Sequence, residues 1–152
     1  MFRDITPLLA NPAALSGAIS AMTAAHTGDV DIVAGVEARG FIFGAAIADA
    51  IGAGFVPIRK PGKLPADTVS RTYDLEYGTD TLEMHADAVS PGTRVLLVDD
   101  VLATGGTATA ARELVASQGA DVVGLTVLVE LAGLNGRQRL DGCTVNAVVS
   151  YD

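Results

Sequence analysis

The sequence predicts an α/β fold, a central and mainly parallel sheet flanked by helices, with a flexible flap over one end. Three observations carry this. Several strands read as continuous apolar runs instead of alternating ones, as expected of strands buried on both faces. They alternate with helical segments. One long polar stretch, Arg59 to about Asp80, fits neither pattern.

The elements follow in order. The opening Phe2-Arg3-Asp4-Ile5-Thr6-Pro7 reads as irregular. Asn11-Pro12 starts a helix that runs to about Ala25, with Pro12 at its first position, where no amide hydrogen is needed. Val30 to Val36 is an apolar strand, and Glu37-Ala38-Arg39-Gly40 is the turn after it. Phe41 to Ile51 is an alanine-rich apolar helix, followed by a short strand from Gly54 to Ile58. The Arg59–Asp80 stretch carries Pro61, Gly62, Pro65 and Gly78 and is long for a connection, which reads as a functional lid or a partly disordered loop. Thr81 to His85 reads as a strand returning from it, and Pro91-Gly92 as a turn. Arg94 to Val98 is a buried strand and Thr107 to Gln118 a helix closed by Gly119. Val122 to Glu130 is a further buried strand, and Val145 to Tyr151 the last. With 152 residues and no repeat or linker, residues 1–152 are read as a single domain.

Charge narrows the function. The net charge is −8. This disfavours nucleic acid and anionic membrane as partners, since both require a basic surface. No apolar run reaches the roughly 18 residues of a membrane span. The N-terminus lacks the basic-then-apolar order of a signal peptide, and the single cysteine, Cys143, allows no internal disulfide. The expected compartment is the cytoplasm. Five of the ten basic residues, Arg39, Arg59, Lys60, Lys63 and Arg71, fall within residues 39–71. Two readings stand for this cluster, a site for a small anion or a solvated loop. His26 and His85 lack partners at metal-ligand spacing and read as surface or capping residues, and Cys143 reads as inert.

The most informative segment is Val98-Asp99-Asp100-Val101-Leu102-Ala103-Thr104-Gly105-Gly106-Thr107. A buried strand delivers two carboxylates to its end, and the chain turns through Thr-Gly-Gly-Thr into a helix. Glycines let the backbone approach a ligand and aim its N–H groups inward. The helix N-terminus adds partial positive charge. Thr104 and Thr107 add hydroxyls. This suits a phosphate monoester. The carboxylates suit something else: Asp99 and Asp100 can accept hydrogen bonds from vicinal hydroxyls, as on a ribose. Ala103, Thr104, Gly105, Gly106 and Thr107 are therefore the candidate phosphate cradle. Gly35 to Gly40 has the glycine spacing of another phosphate loop, but Phe41 and Ile42 stand where that motif requires Lys and Ser/Thr.

On these residues the chain resembles the type I phosphoribosyltransferase family, and the loop at 99–107 is the feature shared by that whole family. Further matching segments are Phe-Arg-Asp-Ile-Thr at 2–6, Glu-Ala-Arg-Gly-Phe at 37–41, Arg-Lys-Pro-Gly-Lys-Leu-Pro at 59–65 and Tyr-Asp-Leu-Glu-Tyr-Gly at 73–78. The segments at 59–65 and 73–78 are similar to those of the adenine-using branch. The resemblance implies a type I phosphoribosyltransferase fold. It also implies transfer of the 5-phosphoribosyl group from phosphoribosyl pyrophosphate (PRPP) to N9 of adenine, giving AMP and pyrophosphate in purine salvage.

Several roles follow from the resemblance. Breaking the bond to pyrophosphate builds negative charge on the leaving group, which calls for Mg²⁺, carried as Mg-PRPP, and for cationic side chains. Arg39, Arg59, Lys60 and Lys63 are the candidates, with Tyr77 closing over the ribose or pyrophosphate. Mg²⁺ takes few protein ligands, so no metal-binding residue is named. Glu76 is the candidate general acid/base on the purine, the alternative being a solvated loop carboxylate. Arg3 and Phe2 border the adenine, although Phe2 could equally be core. The resemblance further implies a homodimer. Members of the family carry a further segment ahead of the Phe-Arg-Asp match that helps cover the base, whereas Met1 directly precedes that match here. The expectation is an intact PRPP site and a partly open base site. Alternatives are a transferase for another purine or orotate, and a non-catalytic PRPP-sensing regulator of the same fold.

Overall fold

The structure is a computed structural model and describes residues 4–152. Phe2 and Arg3 lie outside the described residues. A short helix α1 (Thr6–Ala10) leads into α2 (Pro12–Ala25), β1 (Ile32–Val36), α3 (Gly40–Ile51) and β2 (Gly54–Ile58). A ribbon of β3 (Thr68–Asp74) and β4 (Thr79–His85) follows, then β5 (Arg94–Leu102), α4 (Gly106–Ala116) and β6 (Asp121–Leu131). Two 3₁₀ turns (Ala132–Leu134 and Gly136–Leu140) precede β7 (Val145–Tyr151).

The expected start of α2 is present: the Asn11 side chain accepts a hydrogen bond from the Ala14 amide at 2.9 Å, and Pro12 begins the helix. The opening is less irregular than expected. Pro7 sits in the first turn of α1, where its missing amide hydrogen costs nothing. The largest correction falls on residues 59–80. More than half of that stretch is the antiparallel ribbon, with Thr68 opposite His85 and Asp74 opposite Thr79. Ser70, Arg71 and Thr72 are exposed in succession on this two-stranded ribbon, so there is neither an apolar run nor a clean alternation to mark a strand.

The five-stranded sheet has the order β2-β1-β5-β6-β7, and every neighbouring pair is parallel. One face packs on α2 and α3 through Met22, Phe43, Ile47, Leu96 and Val98. The other packs on α4 and on β4 of the ribbon through Leu82, Met84, Leu97, Leu114 and Leu125. Each such fully buried large side chain contributes about 1.5–3 kcal/mol of hydrophobic stabilisation. The ribbon is also tied to the sheet by a pair of backbone hydrogen bonds between Arg59 and Glu83, at 2.9 and 2.8 Å.

This order places the site. From β1 the chain crosses through α3 to β2 on one side; from β2 it crosses through the ribbon to β5 on the other. The strand order therefore reverses between β1 and β5, and a crevice opens beyond their carboxyl ends. Two segments leave there, Glu37–Gly40 and Ala103–Gly105.

Candidate active site

β5 runs four residues further than expected and ends at Leu102. Asp99 and Asp100 are therefore inside the strand, with Asp99 in register with Val127, and the ladder fixes their direction. Asp100 is only 6% exposed. Its Oδ2 accepts a 2.6 Å hydrogen bond from Arg39 Nε. Asp99 Oδ1 accepts from the Asp100 amide at 2.8 Å. Burial pushes the Asp99 carboxyl well above the ordinary carboxylate range, and the neighbouring Asp100 charge pushes the same way.

Beyond Leu102 the loop turns at Gly105, which has φ +84°. A side chain there would be strained, and a Cβ would stand 2.5 Å from the Gly136 carbonyl oxygen. α4 begins at Gly106, one residue earlier than the sequence suggests. Residues 103–107, with Asp99, Val101, Leu102 and Ala108, line a cavity of about 130 Å³. Its lining residues carry backbone amides, the start of α4 and the Thr104 and Thr107 hydroxyls, which is chemistry suited to a phosphate. A second cavity of about 130 Å³ shares Val101 and Ala103 with it and is otherwise lined by Ile5, Val129 and Leu131, with Arg39 and Asp100 as its polar residues. It is a mainly apolar slot beside the two carboxylates.

The basic residues form a separate group. The Glu37–Ala38 peptide is cis, and Glu37 organises the cations around it. Its carboxylate pairs with Lys63, accepts from the Lys60 amide at 2.7 Å and lies 3.6 Å from Arg59 Nε. Burial works against its ionisation, but these partners outweigh it and hold Glu37 below the usual carboxylate range. Lys60 pairs with Asp80. Burial pulls the Lys60 ammonium down, but Asp80 and Tyr73 outweigh that and raise it. Arg59 and Lys63 thus gather at Glu37, while the Lys60 ammonium turns to Asp80 and Arg39 is turned onto Asp100 nearer the apolar slot.

The ribbon reaches over α4. Tyr73 Oη lies 3.1 Å from Thr107 Oγ1 and 3.4 Å from Asp80 Oδ2, and Arg71 pairs with Glu113 at 2.6 Å. Glu76 and Tyr77 occupy the ribbon tip, closed by a 2.9 Å hydrogen bond from the Leu75 amide to the Gly78 carbonyl. Tyr77 is 87% exposed and Glu76 is exposed. Neither side chain has an ion pair or hydrogen bond among the described residues.

Three contributors escape a reading of the sequence. Glu37 and Tyr73 lie in segments whose pattern is distinctive, but their partners are remote in the chain. Gly136, packed behind the phosphate loop, gives no local signal. Of the residues expected to be inert, His26 ends α2, and Cys143 is half-buried with its thiol pushed up by burial.

A parallel sheet whose switch point opens onto a glycine-turned anion cradle, two strand-borne carboxylates and an adjoining apolar slot defines an enzyme scaffold for a sugar phosphate joined to a flat apolar group. The chain belongs to the phosphoribosyl transferase domain family, whose profile matches residues 4–147. It is 58% identical over 151 residues to the adenine phosphoribosyltransferase of Thermobifida fusca, covering 99% of this chain and 86% of that protein. The crystal structure of adenine phosphoribosyltransferase from Thermoanaerobacter pseudethanolicus superposes with a TM-score of 0.96 at 50% identity, covering 99% of this chain and 88% of that one. The enzyme from Saccharomyces cerevisiae, complexed with an imino-altritol bisphosphate and adenine, superposes with a TM-score of 0.90 at 39% identity, covering 97% and 86%. The fold is the type I phosphoribosyltransferase fold. Among the described residues no helix is long and apolar enough to cross a membrane.

Proposed function

We propose that this chain is an adenine phosphoribosyltransferase, which moves the 5-phosphoribosyl group of PRPP to N9 of adenine and releases pyrophosphate. The observation that carries the reading is that the phosphate cradle at 103–107 and the apolar slot share Val101 and Ala103, with Asp99 lining the first and Asp100 the second. A 5-phosphoribosyl group bridges such a pair of cavities, its phosphate on the loop and its hydroxyls on the carboxylates. A purine at C1 of the ribose then enters the slot. Relatives at 50–58% identity over nearly the whole chain carry the same activity in their names.

The chemistry assigns the remaining residues. The C1–oxygen bond to pyrophosphate breaks and the C1–N9 bond forms, so positive charge builds on the ribose and negative charge on the leaving group. Asp99 and Asp100 beside the ribose favour the first. Arg39, Arg59, Lys60 and Lys63 hold the pyrophosphate, and Mg²⁺ arrives with PRPP as part of the substrate. Among the described residues no cluster of three or more carboxylate, histidine or cysteine groups is assembled, so such an ion would take most of its ligands from substrate and water. Glu76, carried inward by the ribbon tip with Tyr77, handles the proton that the purine loses as N9 attacks. Closure of the tip excludes the water that competes for the activated ribose. We further propose that residues 1–152 work as one domain, in the cytoplasm, as a homodimer. Phe2 and Arg3 complete the adenine side.

The test is PRPP-dependent formation of AMP from adenine with Mg²⁺, with hypoxanthine, guanine, xanthine and orotate as competitors. Turnover of adenine alone is expected, and turnover of another base with none of adenine rejects the reading. Binding of PRPP with no turnover of any base supports a regulator instead. Sedimentation analysis checks the homodimer.

A further inference from the structure

We propose that Glu130 and Arg137 are positioning residues for the phosphate loop, acting through Gly136. The inference rests on the phosphoribosyl reading of that loop and adds to it the part that holds the loop in shape.

The cradle Ala103-Thr104-Gly105-Gly106 has no large side chain with which to lock its own conformation. A surface of backbone amides works as an anion site only while its N–H groups stay aimed, so the rigidity must come from outside. The 3₁₀ turn Gly136–Leu140 supplies the contact. Gly136 is buried against the back of the loop. A Cβ on it would collide with the Ala103 carbonyl oxygen and stand 2.9 Å from the Gly105 nitrogen. The fit is reciprocal, because a Cβ on Gly105 would meet the Gly136 carbonyl oxygen. Two glycines from segments 31 residues apart thus face each other backbone to backbone.

The turn is held by the next residue. Arg137 donates Nε to Glu130 Oε1 at 2.9 Å and Nη2 to Glu130 Oε2 at 2.6 Å, the parallel two-point geometry that gives a guanidinium a fixed orientation. Its Nη1 donates to the Val145 carbonyl at 2.6 Å. The side chain therefore ties the turn to the ends of both β6 and β7. Glu130 is 8% exposed, and the Arg137 hydrogen bonds hold its carboxyl below the usual range, so the pair stays ionised at neutral pH. The neighbours of Glu130, Val129 and Leu131, line the apolar slot, and Glu130 does not. Along a strand, successive side chains leave on opposite faces. The device therefore bears on the phosphate half of the site and not on the base half.

That asymmetry is the test. In the full chain, AMP Kd by calorimetry and the PRPP and adenine KM values are measured for the wild type, Glu130→Gln, Arg137→Ala, Arg137→Lys and Gly136→Ala, with a thermal melt for each. A loop set loose by about an ångström costs on the order of tenfold to a hundredfold. AMP Kd and PRPP KM are expected to rise by that factor in Arg137→Ala and Glu130→Gln, with adenine KM unchanged and partial recovery in Arg137→Lys. Gly136→Ala, which leaves the ion pair intact and pushes a methyl group into the loop, is expected to show the same selective loss. Unchanged AMP affinity in Gly136→Ala overturns the inference, as does a parallel rise of adenine KM and AMP Kd in the ion-pair variants. A wild-type chain that binds neither AMP nor PRPP rejects the phosphoribosyl reading itself, a result distinct from both.

Discussion

The loop at residues 103–106 presents main chain to its ligand, is braced from behind by another stretch of main chain, and cannot take a Cβ at Gly105 without strain. The ribbon tip at residues 75–78 presents side chains, and both Glu76 and Tyr77 stand exposed. Under the proposed function, one end of the site holds a ligand in a fixed place. The other carries, on a narrow ribbon, the side chains that act on it. Damage to the two should therefore register in different measurements, binding for the loop and turnover for the tip.

The sharpest separation should come from Glu76→Gln. It is expected to lower kcat by about a hundredfold or more, the contribution of a positioned general acid/base. AMP affinity and melting temperature should not move, because the side chain is exposed and makes no hydrogen bond or ion pair among the described residues. A normal kcat would remove Glu76 from the chemistry. Gly105→Ala should do the reverse. Forcing an L-residue into the left-handed region costs about 1–2 kcal/mol before the collision with Gly136 is counted. AMP Kd should rise at least about tenfold, with a lower melting temperature. Equal AMP binding would show that the loop tolerates what its geometry forbids.

Smaller effects sharpen the picture between these extremes. Lys63→Ala should weaken inhibition by pyrophosphate by about tenfold, the loss of one charged hydrogen bond. Its melting temperature should hardly change, because the partly exposed Lys63–Glu37 pair contributes little to stability. The smallest effect belongs to Asp99. Its carboxyl titrates higher in the folded chain than in the unfolded one, so the folded state binds more protons in that interval. Stability therefore falls as pH rises from the ordinary carboxylate range through the raised value. Asp99→Asn should remove that fall, so the variant's melting temperature should gain on the wild type as pH rises from the ordinary carboxylate range, as checked by calorimetry across a pH series. A variant whose melting temperature loses ground to the wild type as pH rises would contradict the assigned direction.

The same contrast explains what was legible in the sequence. Strands buried on both faces declare themselves as apolar runs, and Val95 to Val98 or Val122 to Leu128 could hardly be anything else. The phosphate loop was legible because its chemistry is local: carboxylates, glycines and helix start lie in one unbroken stretch. The ribbon strand Thr68–Asp74 was not, because a strand with mostly exposed residues lacks the apolar signal on which the reading depends. The end of β5 was misplaced for a related reason. Asp99 and Asp100 look like loop residues, yet the ladder with β6 carries them as strand. Remote pairings such as Glu37 with Lys63 or Gly136 with Gly105 exist only once the sheet order is known.

The grouping around Glu37 has one more implication. Bringing the Arg59 and Lys63 side chains together with no anion present would set like charges against one another. The Glu37 carboxylate acts as a resident placeholder that keeps them assembled before any ligand arrives. Under the proposed function, pyrophosphate then binds by exchange, taking over cations already gathered and not having to recruit them. The same carboxylate is on hand to reclaim them when the product departs, so the grip on a highly charged leaving group is kept from becoming permanent.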